Sequence, residues 1–167
     1  MDDKLLIAVV GNRNSGKTTT WKELFGRVVK TGVNLRKLYL TETEYVEVFL
    51  VSGSPEEREI YVGDLITVER PRIVLCSIQY IESARDTFNY FFENEYSAYT
   101  HWLNPGYSDA ECKYFDSLGL VNWLLEKEHF ISIKNAKHSP EGRVQKIKEH
   151  IYGWAKYRDL IIVDDGM

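Results

Sequence analysis

Eight residues close to the start of the chain constrain it more than any others. Gly11-Asn12-Arg13-Asn14-Ser15-Gly16-Lys17-Thr18 reads G-x-x-x-x-G-K-T, and each fixed position has a physical task. Glycines at 11 and 16 let the backbone curl until successive N–H groups converge on an anion. Lys17 brings a mobile ammonium, and Thr18 a hydroxyl of the kind that ligates Mg²⁺. The flanks agree with this reading. Leu5 to Val10 is an unbroken apolar run, suited to a strand buried on both faces. Thr19 to Val29 reads as a helix that opens at the loop and ends near Gly32. A helix start offers unpaired N–H groups and the positive end of its dipole. The residues expected to hold phosphate are therefore Gly11, Asn12, Arg13, Asn14, Ser15, Gly16, Lys17, Thr18 and Thr19.

The 167 residues, 44% of them hydrophobic, suffice for one domain spanning 1–167 with a substantial core. A net charge of −4 provides no broad basic field, so nucleic acid is not an expected partner. No apolar run approaches the ~18 residues that cross a membrane, so no membrane partner is expected either. Met1-Asp2-Asp3-Lys4 is acidic and runs straight into the first strand, unlike a secretory leader, and the expected location is cytoplasmic. Cys76 and Cys112 lack metal-ligand spacing, fall in apolar segments and read as buried free thiols. His101, His129, His138 and His150 lack metal-ligand spacing too.

Further strands are predicted at 36–41, 45–51, 72–78, 97–103 and 130–134 from their β-branched and aromatic content. The first two form either a hairpin or one long strand. Ser54-Pro55-Glu56-Glu57 is a capping box with proline at the first helical position. Helices are also expected from Ser83 to Glu93, from Ser108, over 120–128 and over 140–156. The segment 60–68 fits neither period, and 160–167 reads as a short extra strand or an ordered tail. Strands alternating with helices imply a mostly parallel sheet with right-handed crossovers. The expected fold class is α/β: a three-layer sandwich around a five-stranded sheet, with ligand at the carboxyl ends of the strands.

The motif in this setting resembles the Walker A loop of the P-loop NTPase superfamily, and the likeness covers residues 1–30. It implies a nucleoside triphosphate as ligand, with Mg²⁺ as cofactor. Asp116-Ser117-Leu118-Gly119 matches the D-x-x-G of GTPases in letters, but it lies after the wrong strand. Asn135-Ala136-Lys137-His138 lacks the aspartate that reads guanine. ATP is therefore expected in preference to GTP. The layout is similar to that of small P-loop kinases. Ile73-Val74-Leu75-Cys76-Ser77 resembles the third strand of gluconate-kinase-like enzymes, which implies that Ser77 helps Thr18 place Mg²⁺ through water. No acidic residue ends this strand.

Such a kinase needs an acid to take the acceptor's proton. Glu42 and Glu44, after the presumed second strand, are the catalytic candidates beside Lys17, with Asp64 behind them. It also needs cations on the transferring phosphoryl group. Residues 104–129 hold Lys113 and Lys127 but no arginine, a departure from the kinase pattern. Arg13, Arg58, Arg70 and Arg85 are alternatives, and Arg143 is placed to stack on a base. The second reading is a nucleotide-gated binding module that hydrolyses slowly and signals to a protein partner. Its docking surface would be the aromatic segment 88–102, which holds Phe88, Tyr90, Phe91, Phe92, Tyr96, Tyr99 and Trp102. A polynucleotide end kinase would need a basic groove that the composition does not supply.

Overall fold

The computed structural model describes residues 3–110 and 115–164. One sheet organises them, with strands β1 (Lys4–Gly11), β2 (Arg36–Tyr39), β3 (Glu44–Val51), β4 (Ile73–Gln79), β5 (Tyr96–Leu103), β6 (Phe130–Lys134) and β7 (Ile162–Val163). The spatial order is β2-β3-β4-β1-β5-β6, and β7 pairs with β3. β3, β4, β1, β5 and β6 run parallel. β2 and β7 pair antiparallel with β3. The sheet therefore has seven strands rather than the five expected, with five of them forming its parallel part.

β1 is central because Leu5 to Val10 is buried on both faces. Leu5, Ile7 and Val9 pack with Trp21 and Leu24 of α1 (Lys17–Phe25) and with Val144, Ile147 and Ile151 of α6 (Glu141–Tyr157). Leu6, Ala8 and Val10 pack with Phe88 and Phe91 of α4 (Ala84–Glu93) and with Leu120 and Leu124 of α5 (Leu120–Glu126). Helices thus cover both faces of the sheet. Fully buried Phe49, Phe88 and Phe91 each stabilise the fold by on the order of 2 kcal/mol.

Several boundaries differ from the sequence reading. Residues 36–51 form a hairpin, not one strand. α1 stops at Phe25, because Gly26 takes a left-handed φ of 73° and its N–H closes onto the Lys22 carbonyl; Gly32 lies well beyond. Residues 60–68 contain one helical turn, α3 (Val62–Leu65). Residues 107–110 form a turn rather than the start of a helix, and the rest of that segment, with Cys112, lies outside the described residues. Cys76 is a buried free thiol. The capping box forms α2 (Pro55–Arg58), with Ser54 Oγ accepting the Glu57 N–H at 3.4 Å.

His101 occupies the middle of β5, fully buried, with its ring edge-on to Tyr99 at 4.7 Å. Neither of its ring nitrogens has a hydrogen-bond partner among the described residues. Burial, reinforced by Lys134, Arg143 and His150, pushes its pKa down to about 3. In the unfolded chain the imidazole titrates near 6.5. Between these two values the unfolded chain binds a proton that the folded chain does not, so stability falls as pH falls through this window. Urea unfolding at pH 7.5 and pH 5.0 should show a loss of about 2 kcal/mol from this residue. His101→Leu should remove the greater part of that loss; an unchanged pH dependence in the variant contradicts the assignment.

Candidate functional site

The loop between β1 and α1 is built around one buried hydroxyl. Ser15 is tucked beneath the turn, and its N–H donates to the Asn12 carbonyl at 3.2 Å. A Cβ on Gly11 would lie 2.2 Å from Ser15 Oγ, so no other residue fits at that position. Asn14 and Gly16 take left-handed φ values of 60° and 105°. The first helical N–H to bond back is that of Thr20, to the Gly16 carbonyl at 3.1 Å. The amides of Gly16, Lys17, Thr18 and Thr19 thus precede the helix's own hydrogen bonding and are free for an anion.

The loop after β5 holds this turn from outside. Tyr107 N–H donates to the Ser15 carbonyl at 2.9 Å, and Gly106 N–H to Asp109 Oδ2 at 2.7 Å. Lys137, in the loop after β6, donates to the carbonyls of Tyr107 at 3.1 Å and Asp109 at 2.5 Å. Between these segments and the start of α2 lies a cavity of about 720 Å³. Thr18 and Thr19 face it, together with Gly53 from the end of β3 and His138 from the loop after β6. Four parallel strands, β1, β3, β5 and β6, therefore end around one cavity, as the rule for ligands at carboxyl strand ends requires.

Lys17, Lys137, Arg143 and one carboxylate, Glu57, set its charge. Lys17, only 6% exposed, folds back on its own loop. Its Nζ donates to the carbonyls of Gly11 at 3.1 Å and Asn12 at 2.8 Å, and to Glu57 Oε1 at 3.3 Å. Burial lowers the Lys17 pKa, and Glu57 opposes that shift. Arg143 is buried rather than a surface residue; its Nε donates to Thr20 Oγ1 at 2.9 Å. No carboxylate among the described residues pairs with Arg143, and burial lowers its pKa. Neighbouring Glu56 is held by the Gln79 N–H at 2.7 Å and by the Thr87 hydroxyl. Burial raises the Glu56 pKa against those bonds.

The acids expected from the sequence are not here. Glu44 begins β3, whereas the cavity lies beyond Val51 at its other end, about 23 Å away at strand rise. Glu44 instead accepts the Tyr152 hydroxyl at 3.1 Å. Glu42 lies in the exposed turn beside it, because β2 runs antiparallel to β3 and carries its end away from the loop. Asp64 is exposed in α3. Glu57 lines the cavity in their place, with Glu56 next to it in sequence. Their signal was the capping box directly after β3, which becomes informative once β3 is taken as the strand parallel to β1.

Other placements also differ. Ser77 is completely buried and accepts the Trp21 indole N–H at 2.8 Å, so it is a core partner of α1 and cannot reach an ion in the cavity. Arg13 is exposed on the loop and does not line the cavity. Arg85 donates to the Leu118 carbonyl and lies over Trp123. Phe88, Phe91, Tyr96 and Trp102 are buried in the core. No family model, no curated protein and no solved structure matches the chain significantly.

The packing of the two loops yields opposite predictions for two glycines. A Cβ on Gly106 would lie 2.6 Å from Ser15 Cβ and 2.9 Å from its Cα. Gly106→Ala should therefore destabilise by roughly 1–3 kcal/mol. Gly153, mid-helix in α6, has nothing within 4 Å of an added Cβ, so Gly153→Ala should stabilise by about 0.5–1 kcal/mol. Urea unfolding of both variants checks the pair; equal effects would contradict the packing described.

Proposed function

We propose that this chain is a member of the P-loop NTPase superfamily that binds a nucleoside triphosphate and transfers its γ-phosphoryl group in the manner of a small kinase. The observation that carries this reading is the convergence on one cavity of the free amides of residues 16–19, the Lys17 ammonium and the buried Arg143. Backbone N–H groups and two partly desolvated cations form an environment that an uncharged ligand would not need. A polyphosphate would satisfy all of them at once. Lys17 then exchanges its own loop carbonyls for phosphate oxygens, and Arg143 stabilises charge on the transferring group.

Mg²⁺ suits this donor set. No group of three or more His, Cys, Asp or Glu side chains is gathered for a metal among the described residues. Mg²⁺ takes most of its oxygens from water and phosphate and needs few from protein. Thr18, exposed in the cavity, would hold it, and Glu57 would carry water in its outer shell. Bound there, Mg²⁺ neutralises charge between the β- and γ-phosphates.

ATP is the preferred donor in this reading. Asn135 Oδ1 accepts the Lys137 N–H at 2.9 Å, and Lys137 Nζ is committed to two carbonyls. Residues 135–139 include no Asp or Glu, so this loop has no carboxylate for the guanine edge. Glu57 replaces Glu42 and Glu44 as the acid that takes the acceptor's proton. Within the aromatic segment 88–102, Phe88, Phe91, Tyr96 and Trp102 are buried, and this favours phosphoryl transfer over a docking module.

Two variants test the reading. Lys17→Ala should retain the wild-type circular dichroism spectrum and bind ATP at least tenfold more weakly by calorimetry; unchanged affinity would overturn the assignment. Glu57→Gln removes the carboxylate that competes with phosphate for Lys17. Without Mg²⁺ it should bind ATP severalfold more tightly, on the order of 1 kcal/mol for a partly buried pair, while ATP turnover with Mg²⁺ falls by about 10²-fold. Weaker binding with unchanged turnover would show that Glu57 serves another purpose.

A further inference from the structure

A second cavity, of about 550 Å³, opens between the carboxyl ends of β4 and β5 and reaches the phosphate loop at Asn12. Its volume lies in the range that encloses small ligands. The walls are aromatic. Tyr80 and Trp102 stack with ring centres 4.8 Å apart and planes 11° apart. Tyr80 is fixed in that position, because its hydroxyl donates to Asp116 and accepts the Leu118 N–H at 3.1 Å. Asp116 in turn caps α5 by accepting the N–H groups of Leu120 at 3.0 Å and Val121 at 2.7 Å. Phe115 stands at the rim, 84% exposed.

The charge of this cavity is as informative as its shape. Among the described lining residues no lysine or arginine appears, and Glu82 is the one charged group. Arg85, beside this cavity, is already bound to the Leu118 carbonyl and the face of Trp123. Among the described lining residues a phosphomonoester would meet a carboxylate and no cation, which disfavours it. A flat ring would find aromatic surface and polar rim groups for its edge. The absence of arginine from residues 104–129 then has a reason: an acceptor without a phosphate needs no cationic lid.

Lys17, which lines the first cavity, is bonded to a residue of the second. Its Nζ bonds the carbonyl of Asn12, which lines the second cavity, and the carboxylate of Glu57, which lines the first. Resting on the phosphoryl-transfer reading above, we infer that the second cavity holds the acceptor, and that the acceptor is an unphosphorylated, flat-ringed alcohol of the nucleoside class. Its hydroxyl oxygen bonds to the γ-phosphorus of ATP as the bond from that phosphorus to the β,γ-bridging oxygen breaks. The diphosphate leaves with the bonding pair, and the hydroxyl proton passes to Glu57.

Calorimetric titration of the full chain with adenosine, guanosine, cytidine, uridine and thymidine, and with their 5′-monophosphates, tests this. At least one nucleoside should bind tenfold or more tightly than its monophosphate and accept label from γ-labelled ATP. Phe115→Ala, a change at an exposed rim position, should weaken that nucleoside at least fivefold and leave ATP affinity unchanged. Glu82→Arg should reverse the preference toward the monophosphate. Monophosphates binding as tightly as nucleosides to the wild type, or no nucleoside binding while ATP binds, would overturn the inference. An absence of ATP binding would instead count against the phosphate-loop reading, with the nucleoside and Phe115→Ala titrations still deciding the cavity.

Discussion

The structure depends on how one small residue is packed at the end of the central strand. Ser15 lies beneath the turn formed by Gly11 to Gly16, and Gly106 presses on it from the loop after β5. The Tyr107 N–H to Ser15 carbonyl bond fixes that contact, and Lys137 ties the same segment to the loop after β6. The geometry of this loop is therefore enforced by two neighbouring strand ends as well as by its own glycines. This is possible because β1 pairs parallel with both β4 and β5, which brings their carboxyl ends to one rim.

Positive charge gathers at that rim. Lys17 makes do with two carbonyls and one carboxylate. Arg143 spends its Nε on a threonine hydroxyl and has no paired carboxylate among the described residues. Buried cations without full counter-charge are costly, and both pKa values are pushed down accordingly. In the proposed reading an arriving polyphosphate would relieve that cost, so part of its affinity would come from strain in the free protein. The adjoining aromatic cavity has the opposite character, carrying one carboxylate and no cation among its described lining residues. In the proposed reading that contrast separates a charged donor from an uncharged acceptor.

Where sequence and structure agree, local chemistry decides the outcome. The loop motif, the apolar run of β1, the capping box at Ser54 and the stripe of Val144, Ile147 and Ile151 each specify their element without outside help. Where they part, the deciding contact is remote. Nothing local says that β2 turns back on β3, yet this moves Glu42 and Glu44 away from the loop and brings Glu57 to it. Ser77 looks like a strand-end hydroxyl until Trp21, 56 residues earlier, is seen to claim it. Gly26 and Gly32 are equally able to take a left-handed φ, and only the folded chain shows that Gly26 ends the helix after the loop. The two-residue β7 exists because β3 extends beyond the reach of β4, an opportunity that appears only in the assembled sheet.

The central claim is that the amides of residues 16–19 and the Lys17 ammonium receive a triphosphate. Its most direct test is an amide-resolved ¹H–¹⁵N NMR titration of the uniformly labelled chain with a non-hydrolysable ATP analogue and Mg²⁺. The account predicts that the largest shifts fall on residues 14–19, with smaller ones at Glu57 and around Arg143, and that β2 and β7 at the far end of the sheet stay still. Saturable shifts concentrated away from the loop, or none at millimolar analogue, would contradict it.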